Sequence, residues 1–216
     1  MILEFAAENF TKIPEAIAEG VDRIELCDNL AVGGTTPSYA VIEHSLEYAK
    51  EHDVETAIIL RPRGGNFVYS EDEFEIIKKE MIVAKLFEAE AVVFGSLTAE
   101  GRINRSQITE LMSLKGSMET VFHMAFDFIP KENQKEELDW LVQQGFTRIL
   151  TRGGQEGSAV DHVEWLQELI DYADNRIEII VGGGVTHENY PELAKVLKTN
   201  QYHGTKIVAI DESEQA

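Results

Sequence analysis

The stretch TAIILRPRGGNF, Thr56 to Phe67, opens like a core strand and closes with two arginines astride a proline, then two glycines. Guanidiniums at alternate strand positions lie roughly 6–7 Å apart along the strand. That spacing suits an anionic group such as a carboxylate or phosphate. Other short apolar runs also carry ionisable residues: Glu4 in ILEFAA, Glu25 and Cys27 in RIELC, His123 and Asp127 in TVFHMAFD, His203 in HGTKIV. Histidine titrates nearest neutral pH, so His123 is the candidate acid or base. Arg61 and Arg63 would clamp an anion, and Glu25 or Asp127 would orient or assist. Cys27, His123 and His203 are a second candidate set, donors for a metal such as copper(I), which prefers sulfur ligands. No zinc-type Cys/His spacing and no H-E-x-x-H occurs. Met81, Met112 and Met124 read as core residues, Met124 facing outward by strand parity.

These roles require convergence, which depends on facing direction. Strand side chains alternate between two faces. In the third strand Ile58 and Leu60 share one parity, while Ile59, Arg61 and Arg63 share the other. An arginine is costly against an apolar helix layer, so Arg61 and Arg63 are expected inside. The same test sends Glu4, Glu25, Cys27, His123, Asp127 and His203 inward. With the fifth strand continuing to Asp127, His123 and Asp127 would lie roughly 13 Å apart and form no direct dyad. An internal ion-pair network, for example Glu25 with Arg61, would also satisfy such groups.

The elements that position them follow from hydrophobic periodicity. Eight short apolar runs alternate with seven amphipathic patterns, near 9–19, 38–51, 72–87, 104–114, 132–144, 158–172 and 187–198. Strict β-α alternation predicts a parallel sheet, and eight strands predict closure into a TIM-type (β/α)8 barrel. AEGVDRIELC and QQGFTRILTR form a weak internal repeat in which Gly20 and Gly145 end helices. An open doubly wound sheet is the alternative, but no G-x-G-x-x-G follows the first strand. Residues 1–210 read as one domain and 211–216, DESEQA, as an acidic tail, so the eighth helix is missing or vestigial. That would leave the outside of the eighth and first strands uncovered, a face for a homodimer or higher homo-oligomer.

Glycine-rich segments follow strands two, six and seven. The backbone N–H groups of Gly182, Gly183 and Gly184, with Gly204 alongside, are candidates for phosphate, because barrels often bind it after strands seven and eight. The 216 residues carry 19 basic and 39 acidic side chains, a net charge of −20. That argues against nucleic acid and anionic membrane surfaces as partners. Cys27 is the only cysteine and the start has no basic n-region, so a reducing, cytoplasmic setting is expected.

Together DRIELC, GGTTPS, RPRGGNFVYS, VFHMAFD, RILTRGG, GGGV and HGTKI resemble the CutC family, nearly end to end and in family order. The resemblance implies a cytoplasmic, often oligomeric TIM-type barrel associated with copper homeostasis, with copper ion as a possible ligand. The motif residues it carries over fall at Glu4, Glu25, Cys27, Arg61, Arg63, His123, Asp127 and His203. In one departure, Met124 stands where the family motif FHRAFD has arginine. Two functions follow as expectations: copper binding, with Cys27 as thiol ligand, or a barrel enzyme acting by acid/base chemistry on a small anionic or phosphorylated metabolite.

Overall fold

A computed structural model describes residues 1–210; the acidic tail 211–216 lies outside the described residues. Eight parallel strands close in chain order: β1 (Ile2–Glu8), β2 (Arg23–Cys27), β3 (Glu55–Ile59), β4 (Ala91–Phe94), β5 (Glu119–Phe122), β6 (Arg148–Thr151), β7 (Glu178–Val181) and β8 (Gln201–Gly204). β8 pairs with β1 through Glu4 opposite His203, which completes the barrel. Among the described residues seven α-helices surround it: α1 (Ile13–Ala18), α2 (Tyr39–Glu51), α3 (Glu71–Leu86), α4 (Arg105–Leu114), α5 (Lys131–Gln144), α6 (Val163–Ala173) and α7 (Tyr190–Val196).

Local chemistry fixes the helix ends. Ser38 accepts from the Val41 N–H, and Ser70 with Glu73 forms a capping box. Gly145 ends α5 at a φ of 82°, a left-handed conformation that favours glycine.

Alternation separates two cores. Outward side chains such as Ile24, Leu26, Ile58 and Phe94 join the helix-facing apolar layer. Cys27, Ala57, Ile59, Val93, Val121, Leu150 and Ile180 fill the interior. The N-terminal end of the barrel is plugged by charge. Arg23 bonds to Glu4, Glu55 and Gln201, and Arg148 meets Glu119 and Glu178.

Two expectations need correction. β5 ends at Phe122, because the His123 side chain caps a 3-10 turn over Met124–Phe128. The parity count beyond His123 therefore does not apply. β8 stops at Gly204, and no helix follows it among the described residues. Yet the outer faces of β1 and β8 are covered: Phe5, Tyr202, Ile207 and Val208 are all buried in one apolar layer. The returning chain does the work of an eighth helix there.

Candidate functional site

A cavity of about 260 Å³ opens at the C-terminal mouth. Glu25, Arg61, His123 and His203 line it, with Met124, Gly183, Gly184 and Gly204. They arrive from five strands or the loops that follow them, so the folded barrel unites residues far apart in sequence.

His203 is the hub of the floor. Its Nδ1 lies 2.8 Å from Glu4 Oε1, and its Nε2 lies 3.7 Å from Glu25 Oε2. Arg23 Nη1 donates to the other Glu4 oxygen at 3.0 Å. Burial pushes the Glu4 carboxyl up, but the hydrogen bond from His203 and the charges of His203 and Arg23 prevail and hold it at about 2. Burial pulls His203 down, yet Glu25 and Glu4 raise it above the ordinary imidazole value. Burial raises Glu25. One ligand atom each from Glu4, Glu25 and His203 can lie within 4.8 Å of one another, a grouping able to hold a metal ion.

His123 plays a different part from the one its type suggests. Its Nδ1 accepts the Ala125 N–H at 3.3 Å, which leaves the proton on Nε2. Burial, then the nearby Arg61 guanidinium, pushes the ring down to about 3. His123 is therefore a neutral hydrogen-bond donor at ordinary pH, and His203 is the titrating imidazole of the pair.

Arg61 is buried in the cavity wall. It donates through Nη1 to the carbonyls of Val32 and Gly34, each at 2.8 Å, and through Nη2 to Gly65 at 2.9 Å. Its own N–H donates to Thr36 Oγ1, whose hydroxyl donates to Glu80 on α3. Arg61 and Glu25 form no ion pair: Glu25 faces His203 and Cys27 instead.

The remaining expected residues lie elsewhere. Arg63 is on the chain after β3, outside the alternation, and points at α3. It bonds to Glu73 and to the carbonyls of Gly64, Asn66 and Val68, so it orders the loop and does not line the cavity. Asp127 accepts the Thr151 hydroxyl and the backbone N–H groups of Arg152 and Gly153, pinning the loop after β6. Burial is the main cause of its rise to about 6, against those bonds. Of the expected catalytic set, Glu25, Arg61 and His123 thus share the cavity.

Cys27, His123 and His203 do not come together as a metal trio; the ligand cluster substitutes Glu4 and Glu25 for the first two. The Cys27 thiol is fully buried and donates to Glu25 at 3.3 Å. Burial and then the Glu25 charge push it well above the ordinary thiol value. Met124, expected outside, lines the cavity because its strand ends one residue before His123. Gly204 is a steric requirement, since a Cβ there would meet the Val185 carbonyl at 2.2 Å. Gly182 is packed against Leu150, His203 and Met124 and does not line the cavity.

Arg23, Phe67 and Glu80 escaped notice in the sequence. Arg23 was legible: it shares parity with Glu25 and Cys27 in RIELC. Phe67 and Glu80 carry no periodic signal: Phe67 packs on Arg61 from a loop, and Glu80 on α3 holds the Thr36 hydroxyl.

The CutC family profile matches residues 1–208. A family protein CutC from Enterococcus faecalis is 51% identical over 209 residues, which is 96% of this chain and 100% of that one. The copper homeostasis protein cutC homolog of Homo sapiens is 33% identical over 202 residues, 94% of this chain and 72% of that one. The crystal structure of the CutC protein of Streptococcus agalactiae superposes with a TM-score of 0.94 at 44% identity, covering 96% of this chain and 100% of that one.

Proposed function

We propose that this chain, which belongs to the CutC family, serves copper homeostasis by binding the ion as cargo at the floor of its mouth cavity. The observation that carries this reading is the convergence of Glu4, Glu25 and His203. Carboxylate and imidazole donors suit divalent copper better than copper(I), which prefers sulfur. Cys27 lies beside the cluster but is protonated and sealed, so it is not counted as a ligand. Imidazole must shed a proton before it can bind metal, and Glu25 and Glu4 raise the pH at which His203 does so. Affinity therefore rises with pH.

The test is a Cu(II) titration of the full chain against a chelator of known affinity, at pH 6 and pH 8. The expected result is a single ion per chain, bound more tightly at pH 8 and lost in both Glu25→Gln and His203→Ala. Equal affinity in wild type and both variants refutes the site.

The same reading places the chain in the cytoplasm, supported by its single, buried, unpaired cysteine. No helix among the described residues is long and apolar enough to cross a membrane. Self-association is supported by exposed apolar side chains on α3, Ile76, Ile82 and Leu86, with exposed Tyr39 against Phe87 at its C-terminal end. Sedimentation equilibrium distinguishes a homo-oligomer from a monomer.

A further inference from the structure

We propose that the mouth cavity also binds a small organic carboxylate with an apolar body, and that this carboxylate is the missing counter-ion of Arg61. Arg61 is 3% exposed; its guanidinium donates to three backbone carbonyls and otherwise meets the Tyr69 hydroxyl, which carries no charge to balance it. Among the described residues no carboxylate oxygen lies within 4.0 Å of it. A buried charge without a partner is expensive. The chain is not short of carboxylates, since it carries 39 acidic side chains. Carboxylates of the cavity floor and of α3 are engaged elsewhere: Glu4 with Arg23 and His203, Glu25 with His203 and Cys27, Glu73 with Arg63, Glu80 with Thr36. On the floor Glu4 is held by Arg23 and His203, and among the described residues no carboxylate is paired with Arg61.

A second observation points to the same ligand group. Arg61 Nε and His123 Nε2 are both buried and both lack an acceptor. Buried donors are nearly always paired, so two orphans in the wall of one cavity call for an acceptor there. The two side chains are neighbours across Phe67: the Arg61 guanidinium lies 4.8 Å from its ring centroid, and the His123 ring centroid is also 4.8 Å away. The two oxygens of one carboxylate match a guanidinium N–H and an imidazole N–H. Phe67 packs on both donors and lines the same cavity.

The rest of the cavity sets the body of the ligand. Leu30, Ile59, Met124, Leu150 and Val185 make its wall largely apolar. A volume of about 260 Å³ exceeds what a bare ion fills and fits a small organic molecule. Phosphate alone would leave that wall unused.

The proposal does not depend on copper, and the experiment is done on full-length protein stripped with chelator. Benzoate, its uncharged relative benzamide, and inorganic phosphate are titrated by calorimetry and by thermal shift. Benzoate is expected to bind saturably and raise the melting temperature by a few degrees, with benzamide and phosphate at least about tenfold weaker. Arg61→Lys and His123→Leu should each weaken benzoate by about tenfold or more, and His123→Gln, which keeps a donor at that position, should recover part of the loss. Absence of benzoate binding at 10 mM overturns the proposal. So does benzamide or phosphate binding as tightly as benzoate, a result read from wild-type protein alone and independent of variant folding. Undiminished affinity in Arg61→Lys overturns the assignment of the counter-ion.

Discussion

Replacing Glu4 with glutamine tests whether the floor is a charge-balanced network. Glu4 is 2% exposed and accepts from His203 and Arg23. Its carboxyl is held at about 2 against an ordinary 4.5. At about 1.36 kcal/mol per unit, that gap assigns roughly 3 kcal/mol of native stability to the ionised carboxylate. A depressed acid contributes fully above its unfolded value and loses the contribution as pH falls through its folded value. The wild-type advantage should therefore be complete at pH 7 and fade between about 4.5 and 2. Glu4→Gln keeps the shape but leaves Arg23 and His203 with a neutral partner. The expected loss is about 3 kcal/mol at pH 7, shrinking as pH approaches 2, by urea unfolding followed by circular dichroism. His203 should titrate lower in the variant, by proton NMR, because Glu4 is one of the two groups that raise it. A loss below about 1 kcal/mol at pH 7, or an unchanged His203 titration, refutes the reasoning.

Glu80, half-buried on α3, is raised to about 7, desolvation outweighing the Thr36 hydroxyl. Its stabilising share is present below 4.5 and lost as pH rises through 7, so Glu80→Gln should be about 1–2 kcal/mol more stable than wild type at pH 8 and not at pH 4.5. Asp127→Asn replaces an acceptor of one hydroxyl and two backbone N–H groups. It should cost about 2–4 kcal/mol in thermal unfolding and speed hydrogen exchange over residues 152–157. Cys27→Ala removes a buried sulfur and should cost about 1 kcal/mol while leaving Cu(II) affinity unchanged; a loss of affinity would restore the thiol as ligand. Gly204→Ala puts a Cβ against the Val185 carbonyl and should destabilise by more than about 2 kcal/mol, read from the urea midpoint.

The barrel was readable because its rule is periodic. Alternation in RIELC and AIILR states which residues turn inward, and each helix pattern accounts for one crossover. The inward placement of Glu4, Glu25, Arg61 and His203 needed nothing else. Parity failed where strands stopped. His123 trades strand geometry for an Nδ1 bond to the Ala125 N–H, which brings Met124 to the cavity and takes Asp127 to the β6 loop. Arg63 lies past Pro62, where a loop and Glu73 decide its direction. The protonation of the two histidines was likewise out of reach, since it depends on partners up to 199 residues apart.

The most direct test of the copper site is a crystal of the metal-free chain soaked in Cu(II) at pH 8, with anomalous scattering recorded at the copper edge. The account predicts a peak at the mouth between Glu25 and His203, within bonding distance of both. A peak at Cys27 instead, or none at the floor with the Glu4–His203–Glu25 contacts undisturbed, contradicts it.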